Sequence, residues 1–347
     1  IWIHITDAKL IIFYKMTKVS IIIPVYNAER YISKCLNSII SQNKNLNNLI
    51  EIVLIDDGSK DKSRVICDDY SRKYNFIKTI HEKNQGQAVA RNKAIEIATG
   101  DWITFVDSDD LVVEGYLDVL LSLIKNNNAE IIIFKFKLFS EDVEFSSSIH
   151  KYNNKKVQTI SKTEAMYSIT TESIGNYMWN KLFKKDVFEN IKFPIGRKFE
   201  DIATLYKCFQ NAQSFLLYDD YLYFYRQISS SSSHSANGKE KLFLLRESIR
   251  SREEQLRFFK KYNYRKAYSS AKHYFLLDEV MYVVGINKYN LIKDNYYKDA
   301  DYFIKKCHPT LKKEGFKFSL FIFLYKKSPK LIRIILNFRK QIQKFRR

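Results

Sequence analysis

The sequence lacks the residue clusters on which small metal-bound or disulfide-built folds depend. Its four cysteines (Cys35, Cys67, Cys208 and Cys307) lie far apart, no C-x-x-C pair occurs, and the histidines do not cluster. That pattern argues against a disulfide framework or a zinc site and fits a reducing cytosol. No run of 18 or more apolar residues is present, so no membrane-spanning helix is expected, and no secretory signal stands out. Internal repeats are missing. So are the glycine-rich phosphate cradles: the first apolar run leads into "PVYNAER", where a dinucleotide-binding fold needs G-x-G-x-x-G, and there is no Walker A sequence. Hydride transfer on a Rossmann fingerprint and P-loop chemistry are both set aside on that ground.

What the chain does have is a core. At 347 residues and 46% hydrophobic it can build one large or two ordinary domains. The chain opens on Ile1, and its first methionine, Met16, directly precedes "TKVSIIIPVYN". Residues 1–17 are therefore expected to be an extension outside the fold. From there the pattern alternates. "KVSIIIPVY" (18–26) is a β-branched run stopped by Pro24, and a helical pattern follows over 28–42. "IEIVLIDDGS" (50–59) reads as a second buried strand, 61–74 as a helix and "FIKTI" (76–80) as a short strand. Residues 86–100 read as another helix and "DWITFV" (101–106) as a fourth strand. Short apolar strands separated by helices of ten to fifteen residues predict βαβ units around a parallel sheet buried on both faces. Further on, "EIIIFKFKLF" (130–139) reads as a strand, 161–212 as mainly helical, "YLYFYR" (221–226) as extended, and "SSSSSHSANG" (229–238) as a linker. From Lys239 onward the pattern is helical.

An open parallel sheet binds ligands outside the carboxyl ends of its strands. Pro24 to Asn27, Asp56 to Ser59, and Asp107 to Asp110 all lie at such ends and are expected to share one crevice. The last group, in "FVDSDD" (105–110), places three carboxylates within four positions. Like charges that close repel. Such a cluster is either a solvated turn or the seat of a divalent cation that relieves the repulsion. With no glycine cradle, the reading that remains is a nucleotide diphosphate held through a metal.

Several segments, taken in order, carry a resemblance. "SIIIPVYNAERYISKCLNSIISQ", "EIVLIDDGSKDKS", "NQGQAVARNKAIEIATGDWITFVDSDD", "WNKLFKKDVFENIKF", "FEDIATLYK" and "LYFYR" together resemble the bacterial family 2 glycosyltransferases of the GT-A fold, of the capsular and exopolysaccharide type. The match runs from about Lys18 to Arg226. It implies an α/β fold: a Rossmann-like, mostly parallel sheet flanked by helices, followed here by a helical, basic C-terminal region. The domain would span 18–238, with a nucleotide-binding half at 18–110 and an acceptor half at 111–238. Residues 239–347 would form the C-terminal region.

The resemblance also implies roles. Asp107 and Asp109 form the D-x-D motif, with hard oxygen ligands suited to Mn²⁺ or Mg²⁺. Asp109 would bind the metal directly and Asp107 would lie near both ribose and metal. Asp110 would be a turn acid or lie behind these two. Asp57 would accept a hydrogen bond from the base of a nucleotide-sugar donor, with Pro24 and Tyr26 lining the base pocket. Asn84 and Arg91, in "N-x-G-x-x-x-A-R-N", would contact the nucleotide. Ala94 stands where the family usually has glycine, a modest change within a helix. Of the acid pair Glu200 and Asp201, the second resembles the catalytic base, although two acids at a helix start also suit the helix dipole. Trp179, Asn180 and Lys181 are candidates for the acceptor side or for packing. Arg226 and His234 are left outside the site. The implied reaction is an inverting, metal-dependent transfer from a nucleotide sugar, UDP-linked by expectation, to a glycan or lipid-linked glycan acceptor in cell-surface polysaccharide synthesis. The alternative is a silent nucleotide-sugar-binding or scaffold protein of the same fold.

Charge adds a separate expectation. The net charge is +20, and residues 241–347 alone hold 27 basic and 9 acidic residues, a net of +18. Leu331, Ile335, Phe338, Ile342 and Phe345 recur every three or four positions among lysines and arginines. That pattern suits a helix lying on an anionic membrane surface, or a core helix with a solvated basic face. Nucleic acid is not expected as a partner, since no binding motif accompanies the charge. The expected location is the cytoplasm, peripheral at the inner face of the cell membrane; a homo-oligomer is compatible with the sequence.

Overall fold

The computed structural model describes residues 18–42, 49–140, 149–171, 173–227 and 238–288, with isolated positions at 298, 323, 324, 326 and 327. Contacts divide the chain into two units, Ile1–Ile228 and Ser229–Arg347. The expectations for residues 1–17, for His234 and for the apolar stripe Leu331 to Phe345 lie outside the described residues.

The first unit begins as the alternation predicts. β1 (Val19–Val25), α1 (Ile32–Ile40), β2 (Ile50–Asp56), α2 (Ser63–Lys73), β3 (Ile77–His81), α3 (Gln87–Ile97) and β4 (Trp102–Phe105) follow in turn. All seven residues of β1 and all seven of β2 are buried, so both faces of the sheet are covered there. This explains why these strands read as continuous apolar runs rather than alternating ones. β1 pairs in parallel with β2 and with β4, and β2 in parallel with β3. The amino end of this sheet is tied by Glu51, a buried carboxylate that accepts hydrogen bonds from the Ser20 hydroxyl, the Thr99 hydroxyl and the Thr99 backbone N–H.

The remaining elements extend the same sheet. They are β5 (Leu111–Val112), α4 (Tyr116–Asn126), β6 (Ile131–Phe139), β7 (Val157–Ile160), α5 (Lys162–Ser168), β8 (Lys181–Lys184), α6 (Glu200–Asn211) and β9 (Phe215–Arg226). Among the described residues the sheet has nine strands in the order β3-β2-β1-β4-β8-β6-β9-β5, with β7 paired to β9. β6 and β9 run parallel, while β8 is antiparallel to both β4 and β6. The helical expectation for 161–212 therefore holds at α5 and α6 but not at 181–184. There, Leu182 and Phe183 are fully buried between two neighbouring strands. Packing on a sheet face decides the conformation of a segment that short.

The second unit contains α7 (Gly238–Lys261) and α8 (Arg265–Lys288), which fold back on one another. Ser248 and Arg252 on α7 both reach the Asp278 carboxylate on α8, at 2.7 and 2.9 Å.

Candidate active site

The carboxyl ends of β1 and β2 are laced together by side chains. Pro24 is the buried next-to-last residue of β1, and Tyr26 just beyond the strand is 46% exposed. Asn27, in the left-handed region at φ +49°, donates its N–H to Ser59 Oγ and accepts from the Lys60 N–H. The buried Asp57 accepts from the backbone N–H groups of Gln85 and Gly86, at 2.8 Å each. This joins the end of β2 to the loop ahead of α3. Gly58 makes the turn possible: its φ is +70°, and a Cβ there would lie 2.7 Å from the Asn84 backbone nitrogen. Asn84 is exposed in that loop. Pro24, Tyr26, Asp57 and Asn84 are thus neighbours along one rim, and both Asp57 oxygens are already engaged in holding it.

At the end of β4 the three acids of the "DSDD" turn differ in their partners. Asp110 is fully buried and accepts from the Tyr223 hydroxyl (2.6 Å) and the Arg226 N–H (2.7 Å). The Tyr223 hydroxyl also accepts from the Asp107 N–H. Arg226 donates from Nε to the Asp109 carbonyl oxygen and lies over the rings of Tyr31 and Phe139. Burial, then the charges of Asp107 and Asp109, push the Asp110 carboxyl up to about 9. It is a scaffold acid behind the turn. Asp107 and Asp109 are half-buried, and burial likewise raises both, Asp107 to about 6 despite the opposing pull of Arg91. Tyr223 and Arg226 hold this turn, yet the sequence reading left them out. Nothing in the pattern of "LYFYR" singles them out: Leu222 and Tyr223 are both buried, and Phe224 and Tyr225 both half-buried.

Arg91 lies on α3 and is buried over the rings of Phe105 and Phe193. Its Nη1 is 2.5 Å from Glu200 Oε1, and its Nη2 is 3.4 Å from Asp107 Oδ1. The Gln87 amide, oriented oxygen to Arg91 and nitrogen to Glu200, bridges the same pair at 3.0 Å on each side. Arg91 therefore spans the D-x-D turn and the start of α6 from below, where the sequence reading expected a contact with the nucleotide. Burial would lower the guanidinium's proton affinity, but Glu200 and Asp107 outweigh it and raise it.

Phe199 precedes α6 in the left-handed region at φ +58°, and Glu200 and Asp201 occupy its first turn. Glu200 turns inward to Arg91. Asp201 is half-buried, and the hydrogen bond resolved to its carboxylate comes from the next N–H, that of Ile202 at 2.8 Å. Burial first, and the neighbouring Glu200 charge second, push its carboxyl up to about 7 against the pull of Arg91. A carboxylate near neutrality in a cleft is suited to proton transfer. Of the remaining candidates, Trp179 is buried in a stack of aromatic rings, and Asn180 and Lys181 are fully buried.

The acids fit a divalent cation on chemical grounds. Two half-buried carboxylates with raised proton affinity are relieved by positive charge, and Mg²⁺-type ions are held by one or two carboxylates plus substrate phosphates rather than by a full protein cage. No group of three or more histidine, cysteine or acid side chains poised to hold a metal occurs among the described residues.

The glycosyl transferase family 2 model matches residues 20–192. Glycosyltransferase GlyG of Streptococcus pneumoniae is 31% identical over 223 residues, covering 61% of this chain and 72% of GlyG. The chain belongs to glycosyl transferase family 2. It is also similar to the minor teichoic acid biosynthesis protein GgaB of Bacillus subtilis, 32% identical over 224 residues, covering 63% of this chain but 24% of that longer relative. Among solved structures, S. aureus TarS 1–349 in complex with UDP-GlcNAc superposes with a TM-score of 0.53 at 20% identity, covering 84% of this chain and 93% of that one. That likeness concerns the fold, which is the GT-A arrangement expected from the motifs: an α/β sheet with a parallel half that ends in the acid turn. As a family member the protein is a glycosyltransferase.

Proposed function

We propose that the enzyme is an inverting, metal-dependent transferase that moves a sugar from a UDP-sugar to a glycan or lipid-linked glycan acceptor during cell-surface polysaccharide assembly. The observation that carries this reading is Arg91, whose guanidinium bonds both Asp107 and Glu200 and so draws the D-x-D turn and the acid pair of α6 to one crevice. The TarS complex with UDP-GlcNAc and the teichoic acid relative support the donor and acceptor classes.

In this reading Tyr26 offers a face for the base beside Pro24, Asp57 and the exposed Asn84 line the nucleotide rim, and Asp109 with Asp107 holds Mn²⁺ or Mg²⁺. When bound, the metal supplies a Lewis acid that stabilises negative charge on the departing diphosphate. Asp201 takes the proton from the acceptor hydroxyl as that oxygen bonds the anomeric carbon, and the bond from that carbon to the diphosphate oxygen breaks with its electron pair on UDP. One base and a single displacement give inversion. Among the described residues no helix is long and apolar enough to cross a membrane. The basic segment beyond them, by its composition, would bring the enzyme to an anionic membrane surface where a lipid-linked acceptor resides. The test is UDP release from a panel of UDP-sugars with Mn²⁺, with and without Asp201→Asn. Turnover with one donor that is lost in the variant supports the reading; no turnover or hydrolysis with any donor leaves a silent nucleotide-sugar-binding protein instead.

A further inference from the structure

A block of aromatic rings lies beside the acid turn. Trp179 stacks on Tyr177 with centroids 4.6 Å apart and planes within 15°, on Tyr223 at 4.5 Å and 13°, and on Tyr225 at 5.2 Å and 15°. Phe136 meets Trp179 edge-on at 4.8 Å. Trp179 and Tyr223 are buried, whereas Tyr177 and Tyr225 are half-buried. The block thus has a buried backing and two rings at its open side.

The loop that brings Tyr177 there is fixed with unusual care. Lys181 is fully buried, and its ammonium donates to the carbonyl oxygens of Gly175 and Tyr177 and to Asn180 Oδ1, at 3.1, 2.6 and 2.6 Å. Asn180 in turn donates to the Ile174 carbonyl oxygen. Burial pulls the Lys181 ammonium well below its ordinary range, with Asp201 as the opposing charge. A buried ammonium is costly and persists where its hydrogen bonds are filled. Gly175 completes the device. Its φ is +64°, and a Cβ there would lie 2.5 Å from the Tyr177 ring. The ring rests on the bare backbone of its own loop.

Two relationships place Tyr225, and with it the Tyr177 ring stacked on it at 6.3 Å, beside the acid turn. Tyr225 is two residues beyond Tyr223, on the same side of β9, and the Tyr223 hydroxyl bonds both Asp110 and the Asp107 N–H. The Tyr225 hydroxyl is pushed up to about 12 by burial and then by Asp110 and Asp107, so it lies within their field.

We propose that Tyr177 and Tyr225, backed by Trp179, form a stacking platform for a pyranose ring. This rests on the reading of the crevice as a sugar-transfer site and adds to it the surface that recognises the sugar. A pyranose presents C–H groups on one face, and these meet the negative face of an aromatic ring favourably. The phenol hydroxyls supply the few polar contacts that fix orientation in such sites. The Lys181 clamp keeps the platform rigid, which lowers the ordering cost of binding. The pyranose could be that of the donor or that of the acceptor.

Saturation-transfer NMR on the full chain with diamagnetic Mg²⁺ separates these sources and tests the platform. The probes are UDP, UDP-glucose, UDP-GlcNAc, and the methyl β-pyranosides of glucose, galactose and N-acetylglucosamine. The expected result is saturation of pyranose C–H protons that falls about tenfold in Tyr225→Leu, and also in Gly175→Ala, which displaces Tyr177 without altering it. Tyr225→Phe should stay within about twofold of wild type, and uridine saturation should be unchanged in all three variants with cooperative melting retained. Loss confined to UDP-sugars assigns the ring to the donor, and loss on methyl pyranosides assigns it to the acceptor. Pyranose saturation that is equal in wild type and Tyr225→Leu, or absent with every sugar, overturns the platform. Absence of uridine saturation alone, with pyranosides still bound through Tyr225, overturns the nucleotide-donor reading and leaves the platform standing.

Discussion

Arg91 and Glu200, 109 positions apart in the chain, meet at 2.5 Å beneath the crevice, and this single pair distinguishes the two acids at the start of α6. Glu200 is consumed as the partner of a buried cation, whereas Asp201, next to it, is half-buried and outside that pair. The two should therefore respond differently to neutralisation. Asp201→Asn keeps the shape and should lower kcat by about 10²-fold or more, the usual scale for a lost general base, with UDP affinity and Tm near wild type. Glu200→Gln leaves the buried Arg91 with the longer contact to Asp107 as its remaining ion pair, beside the neutral Gln87 amide. It should lower stability by about 3 kcal/mol, the scale for breaking a buried pair, while kcat falls far less. Thermal melts alongside steady-state kinetics check this, and a reversed pattern would make Glu200 the base.

The pH dependence follows from the same arrangement. Asp201 must be ionised to accept a proton, and burial together with Glu200 pushes its carboxyl up to about 7. The rate under saturating donor and acceptor should therefore rise with pH through about 7 and level off above it. In Glu200→Gln the like charge is gone and Arg91 pulls harder, so this acidic limb should move to lower pH. A pH–kcat profile of both proteins provides the measurement; a flat profile from pH 5 to 8 would remove Asp201 from the role.

The acid turn makes a prediction of opposite sign for fold and function. Asp109 raises the proton affinity of Asp107, and both raise that of Asp110, so the native turn holds like-charge repulsion. Asp109→Asn removes one charge without removing a hydrogen bond that holds the turn, because Arg226 bonds the Asp109 backbone oxygen. In metal-free buffer its Tm should match or exceed that of wild type. With Mn²⁺, transfer should be abolished and UDP binding weakened by at least about tenfold, read by calorimetry. Retained wild-type activity in Mn²⁺ would rule out "DSD" as the cation site.

Much of this was legible in the sequence. The buried runs of β1 and β2 announce a sheet covered on both faces, and the strand-end acids announce where it binds. What pattern alone could not give was the far half of the sheet and the partners beneath the site. β8 is four residues long, too short for periodicity to separate strand from helix, and only its insertion between β4 and β6 settles it. Arg91 read as a nucleotide contact on a helix. Its burial depends on Phe105, Phe193 and Glu200, all brought in from distant positions, which no local window contains. Lys181 stands within "WNKLF", but its function as a clamp on the carbonyls of Gly175 and Tyr177 depends on three-dimensional closure of that loop.

At the opposite, amino end of the sheet, away from the chemistry, Glu51 links stability to pH. Burial alone would raise the Glu51 carboxyl, but the hydrogen bonds from Ser20 and Thr99 and the charge of Lys18 outweigh it and hold it down at about 2, against an ordinary 4.5. A carboxyl depressed on folding contributes stability that is fully present above its unfolded value and is lost as pH falls through its folded value. Glu51 should therefore contribute on the order of 3 kcal/mol at neutral pH, declining between about pH 4.5 and 2. Glu51→Gln keeps the length of the side chain but cannot accept all of those bonds or balance Lys18 and Lys78, which both lie 3.3 Å away. Urea melts of the two proteins should differ by that amount at pH 7, and the gap should narrow steadily as the buffer is taken below pH 4.5. A gap that stays constant with pH would mean that Glu51 acts through its shape and neutral hydrogen bonds, not through its charge.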